Sequence, residues 1–312
     1  MARDQANNPL EIASLSRAAL LSEAGQRLAT VLALLTHLAR LGTTPASLNQ
    51  TAQAKLASLN CRSVLPSQSS LPGQSSLPSQ SSLPDHSSLP DQPSFISTLF
   101  PAHAAISVNS AVANAIPSST PLCAGDLVTI DIAMRWPASG PHFEVIDAAC
   151  ALVVLAEPSP AHLHDSCAQI EQQPLRTHLA HPNPAQLLRA CRATLRVLIQ
   201  AISPGITPAT LRRIAHACAQ SQSVQLANLP LLHGVSRSNL HVHLADHAPL
   251  QSGDLIAIEP VVLSLGESPD LITDDDGFTL RTASGSIGVS EERTVLVGDD
   301  QASPSLVVPV IE

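Results

Sequence analysis

The chain has 312 residues, enough for one sizeable core or two modest ones, and at 44% apolar but 2% aromatic that core must be aliphatic. Its formal net charge of −9, with Lys55 the one lysine, provides no Lys/Arg cluster for a phosphate backbone and argues against nucleic acid as a partner. No run of about 18 uninterrupted apolar residues marks a membrane span, and MARDQANNPLEIASLSR has no apolar signal core, so the expectation is a cytoplasmic chain without a membrane partner.

From about Glu11 to Leu41, Leu20, Leu21, Ala24, Leu28, Val31, Leu32, Leu35 and Leu38 recur at three- and four-residue steps, which predicts a helix. Gly42 stops it, and TTPASL opens a second helix, running to about Leu59, with a Thr cap and Pro in the first turn. Residues 65–94 are five tandem hexapeptides (LPSQSS, LPGQSS, LPSQSS, LPDHSS, LPDQPS). Pro at every sixth position forbids regular helix and Ser/Gln content cannot build a core, so the segment reads as a disordered insertion in a single domain covering 1–312.

From Ile106 the pattern turns to short strands: AISVN, LVTIDIAM and FEVIDAACALVVL, punctuated by PSSTPLCAGD and PASGP. A helical stretch covers about 184–221, and strand character resumes from 231 through LIAIEPVV, FTLRTA and RTVLVGD. Residues 28–54 and 193–219 echo one another, each reading helix, Gly, then T-P-A-S/T-L opening another helix. Such a duplication implies two α+β halves with a site in the cleft between them. Six cysteines show no C-x-x-C spacing and are expected to be free, structural thiols.

Chemistry concentrates in five residues on aliphatic runs: Asp131, Asp147, His233, Glu259 and Glu292. Singly, each has a bland explanation: a strand edge or cap for the aspartates, a satisfied core imidazole for one of thirteen histidines, a strand end before Pro260, a solvated pair for Glu291 and Glu292. Together, four acids among Ile, Val and Leu are costly to bury unless a cation compensates them. A hard-oxygen set with one nitrogen points to Mn, Fe, Co or Zn.

The words around these residues resemble the type I methionine aminopeptidase family of the pita-bread fold. AGDLVTIDIAM supplies Gly125, Asp126 and Asp131; FPAHAAISVNSAVANAIP supplies Phe100, Pro101, Ser107, Val108, Asn109, Ile116 and Pro117; LHGVS, AIEP and FTLRTASGSIGVSEERTV carry His233, Glu259 and Glu292, the last in preference to Glu291. The resemblance implies an α+β fold with two pseudo-symmetric halves around a central antiparallel sheet. It implies a monomer that removes N-terminal methionine from nascent chains and peptides. It also implies two divalent ions sharing an activated water, with Asp131 on one, Asp147 and Glu292 bridging, and His233 and Glu259 completing the other. Glu259 would shuttle a proton to the leaving amine, and His241 would hydrogen-bond the substrate near its carbonyl.

Departures cluster on the substrate side. Asn114 stands where the family has a histidine, Leu232 and Ser236 stand where glycines flank the metal histidine, and Phe278 replaces a tryptophan. The step from His233 to His241 is one residue longer than usual, which makes His243 a rival, since a two-residue step keeps both on one strand face. The other readings are an X-Pro-type peptidase and a non-catalytic peptide-binding domain. No long helical insertion separates His233 from Glu259, which favours type I over type II.

Overall fold

The computed structural model describes residues 9–65, 100–156, 183–237, 240–299 and 304–309. Nearly all of the hexapeptide segment, and Cys167, lie outside them; Cys61, Cys123, Cys150, Cys191 and Cys218 are free thiols.

Local chemistry sets the helix ends. The expected first helix is two, α1 (Pro9–Ser14) and α2 (Arg17–Leu38), because Ser16 turns extended and its hydroxyl accepts from Ala19 N as an N-cap. The helix α3 spans Pro45–Ser58. The expected stretch 184–221 is likewise broken, into α4 (Pro184–Ala201) and α5 (Pro208–Ser221), with Pro204 and the left-handed Gly205 (φ 88°) between them.

The strands are β1 (Arg62–Ser63), β2 (Ala105–Val108), β3 (Ala111–Ala113), β4 (Leu127–Trp136), β5 (Glu144–Val153), β6 (Val224–Leu226) and β7 (Leu232–Gly234). Then come β8 (Leu255–Ile258), β9 (Val261–Ser264), β10 (Leu271–Thr273), β11 (Leu280–Thr282), β12 (Gly288–Ser290), β13 (Glu292–Leu296) and β14 (Ser305–Leu306). An eight-stranded antiparallel sheet runs β1-β4-β5-β13-β8-β7, with β2 added to β4 and β14 to β13. Two three-stranded sheets, β10-β11-β3 and β12-β9-β6, flank it.

The helix pairs cover the two halves of the large sheet. Leu20, Leu21, Leu28, Leu32 and Leu35 of α2 are buried in one core with Ile130, Ile132 and Ile146. Leu187, Leu195 and Leu198 of α4 share another with Ile256, Ile258 and Val295. Each such leucine contributes roughly 2 kcal/mol through burial. By length and hydropathy α2 could cross a membrane, but its apolar stripe is the inner face of the first core.

The halves repeat down to single hydrogen bonds. Thr44 and Thr207 cap α3 and α5, accepting from Ser47 N and Thr210 N. Gly42 N donates to Leu122 O and Gly205 N to Leu250 O, both at 2.8 Å. Asp126 and Asp254 each accept from the backbone N three residues earlier, Cys123 and Gln251, at 2.7 Å. These turns open LCAGDLVTID and LQSGDLIAIE, so Asp131 and Glu259 occupy equivalent places in the two halves.

Candidate metal centre

Sheet register gathers the carboxylates. Asp131 on β4 lies opposite Ala149 on β5, and Ala149 lies opposite Glu292 on β13. Directly opposed residues share a face, so the fully buried Ala149, which is small, sits between two acids. Asp147, two residues along β5, shares that face. Ile258 pairs with Arg293, which brings Glu259, the next residue, to the level of Glu292. All four carboxylates line one inner cavity of about 20 Å³, room for a water or a small ion.

Ligand atoms of Asp131, Asp147 and Glu292 lie within 4.8 Å of one another, as do those of Asp147, His233 and His241. Asp147 belongs to both sets. Glu292 Oε1 is 3.2 Å from His233 Nε2, which ties it to the second set as well. His233 Nδ1 lies 2.9 Å from Leu240 O. A carbonyl can only accept, so Nδ1 is the donor in that contact and Nε2 is the ring atom that faces Glu292.

Burial dominates the electrostatics. It holds Asp131 well above the usual carboxylate range, with repulsion from Asp147, Glu292 and Glu259 adding to it. Burial and then Asp147 do the same for Glu292. Asp147 is raised by burial against the pull of His233. Glu259 is pushed up to about 7 by burial, with His233 opposing and Asp147 reinforcing. Asp131 Oδ1 and Asp147 Oδ1 are buried and have no hydrogen-bond partner. The buried cation Arg293, which follows Glu292 in the chain, spends Nη1 on the carbonyls of Ala149 and Glu292. Buried carboxylate oxygens without a hydrogen-bond partner, clustered with imidazole nitrogens, fit divalent metal ions.

Glu291 is placed quite differently: its Oε1 takes Arg192 Nε of α4 at 2.8 Å, away from the cavity. His241 lines the cavity and stacks on His233 at 4.2 Å between centroids, whereas His243 is exposed. Burial and His233 lower His241 to about 3, so its ring is neutral. Asn114 also lines the cavity and holds a left-handed φ of 53°, a conformation Asn tolerates. Phe278 packs edge-to-face on Phe100 at 5.3 Å, while Leu280, two residues on, reaches the cavity wall. An outer cleft of about 620 Å³ adjoins through Leu229, Pro230, His241 and Glu259.

Two contributors escaped the sequence reading. The repeated L-x-x-G-D-L turn is a visible word that pairs Asp131 with Glu259, while Ala149 becomes significant only through register.

The model of metallopeptidase family M24 matches residues 20–299. A methionine aminopeptidase of Treponema pallidum is 28% identical over 215 residues, 67% of this chain and 73% of that protein. The crystal structure of the methionine aminopeptidase from Rickettsia prowazekii superposes with a TM-score of 0.66 at 18% identity, covering 93% of this chain and 95% of that one. The Thermotoga maritima methionine aminopeptidase gives 0.65 at 18% identity, with 97% and 98% covered. At those identities the structural likeness is one of fold, the α+β pita-bread fold.

Proposed function

The chain belongs to metallopeptidase family M24, and on that premise we propose that it is a metal-dependent aminopeptidase removing N-terminal methionine from peptides and newly made proteins. The observation that carries this reading is the two overlapping sets of ligand atoms sharing Asp147 at the floor of one cleft.

Asp131, Asp147 and Glu292 would hold one divalent ion, and His233 and Glu259, with Asp147 and Glu292 shared, a second; Mn, Fe, Co and Zn suit such a set. When bound, the ions supply Lewis acidity and lower the pKa of water held between them. Glu259 would take a proton from the attacking water and return it to the leaving amine. A substrate's free α-amine would find metal ion and carboxylate at the end of the cleft, and an internal peptide bond has no such amine, so the site selects chain ends. His241, neutral, offers an N–H to the substrate carbonyl, and Asn114 offers an amide but no exchangeable proton near neutrality. Phe278 backs the wall that Leu280 presents to the methionine side chain. The setting that fits this activity is the cytoplasm, with the chain working as a monomer.

Metal-reconstituted protein is expected to release free methionine from Met-Ala-Ser. No release with Mn, Co or Fe at micromolar enzyme overturns the proposal. Elemental analysis separates a peptidase from a peptide-binding domain, since the latter has no need of two ions per chain.

A further inference from the structure

We infer that Arg62, Arg135 and Arg237 form a binding site for a phosphate group, free or carried by a small phosphomonoester, in a cavity of about 190 Å³. The three stand far apart in a sequence of net charge −9, and the fold gathers them. This cavity shares no lining residue with the inner cavity or the outer cleft of the metal centre.

Strand register builds the floor. Arg62 on β1 lies opposite Arg135 on β4, and Arg135 lies opposite Val145 on β5, so one rung carries two cations on one sheet face. Like charges opposed in this way destabilise a sheet. Among the described residues no carboxylate pairs with either arginine. Arg135 cannot swing away. Its Nε and Nη2 bond the carbonyls of Pro137 and Gly140 at 3.2 and 3.0 Å, and its guanidinium lies 3.6 Å from the centroid of the Phe143 ring. Those partners are neutral, so its charge stays unmatched. Arg62 is exposed, and among the described residues no hydrogen bond occupies its fork. Arg237 comes from the segment after β7, where Glu144 Oε1 fixes its guanidinium through Nε at 3.2 Å and Nη2 at 2.6 Å. Arg17 of α2, 3.6 Å from the same carboxylate, adds to the positive excess. Three arginines against one carboxylate leave two charges unmatched at the cavity. A phosphate dianion balances both, whereas a carboxylate balances one, and guanidinium forks match phosphate oxygens in pairs.

The test is calorimetric titration of the full chain at fixed ionic strength, metal-loaded and again with chelator, using inorganic phosphate, adenosine 5′-monophosphate and acetate. Wild type is expected to bind phosphate with a Kd below about 1 mM in both states. R62Q is expected to lose about tenfold or more, the contribution of one charge-assisted pair. R213Q, at an exposed position on α5 away from the cavity, is expected to keep the wild-type affinity. Adenosine monophosphate binding more tightly than phosphate identifies a phosphomonoester as the ligand; equal or weaker binding identifies free phosphate. R62Q removes one of two opposed like charges and should be no less stable than wild type. In parallel, arginine side-chain ¹⁵Nε spectra of wild type should show the Arg62 and Arg135 signals moving on phosphate addition, a readout that needs no variant. Binding that disappears with chelator, an R62Q affinity equal to wild type, or acetate bound as tightly as phosphate overturns the inference. Methionine release plays no part, so an inactive protein would refute the peptidase reading and leave this one standing.

Discussion

At the scale of single residues, adjacency in sequence and adjacency in chemistry part company. Glu291 and Glu292 are both buried, yet one holds Arg192 and the other faces the cavity. Glu292→Gln is expected to abolish binding of at least one ion, and Glu291→Gln to keep both while costing about 1–2 kcal/mol, since Arg192 is half-exposed and the pair is partly screened. Metal stoichiometry and denaturant midpoints on the two variants check this; the reverse assignment would exchange the outcomes. Asn114 supplies a second case. Its φ of 53° is one His can also adopt, so Asn114→His is expected to fold and to raise kcat/KM on Met-Ala-Ser by about tenfold or more through a titratable donor at the wall. An unchanged rate would place the wall's contribution elsewhere. The acids were legible in the sequence because Asp131, Asp147 and Glu259 sit among Ile, Val and Leu where charge is anomalous. His241 against His243 was not legible, because the choice depends on the path of the segment anchored by Leu240 and Val242.

At the scale of elements, the duplication was readable in the helices, and the structure extends it to the turns before β4 and β8. Helix breaks were harder. Ser16 and Gly205 end periodic patterns that continue past them, because apolar spacing reports the buried face and capping reports the ends. One close approach had no sequence signature. Gly25, in the middle of α2, lies so near the chain after β14 that a Cβ there would stand 1.6 Å from Val307 O. An alanine gains up to about 1 kcal/mol of helix propensity. It must also displace a segment whose Val308 is fully buried in the first core. Overpacking of that kind costs about 1–3 kcal/mol, so Gly25→Ala is expected to be destabilising on balance and to expose the C-terminal segment to proteolysis. Equilibrium unfolding decides the sign, and a stabilised Gly25→Ala would mean that the segment does not lie against α2.

For the whole molecule, the site places a load on the fold that metal removes. Asp131, Asp147, Glu259 and Glu292 are all raised in the folded protein, so over the affected range it binds more protons than the unfolded chain. Stability of the metal-free protein therefore falls as pH rises. For Glu259 the loss accumulates from 4.5 to about 7 and is on the order of 3 kcal/mol. His241 acts with the opposite sign. Lowered from 6.5 to about 3, it costs stability as pH falls below 6.5, because the unfolded chain takes up a proton that the folded one refuses. Metal-free protein should thus be most stable in mildly acidic solution and should lose several degrees of Tm between pH 6 and pH 8. Divalent ions need ionised carboxylates, so their stabilisation should grow over that same interval, reaching about 2.7 kcal/mol at a hundredfold excess over Kd. Thermal scans with chelator and with Zn²⁺ or Mn²⁺ at pH 6, 7 and 8 measure both trends. A chelated protein whose Tm climbs from pH 6 to pH 8 would show that the four acids are not buried together as the strand register requires.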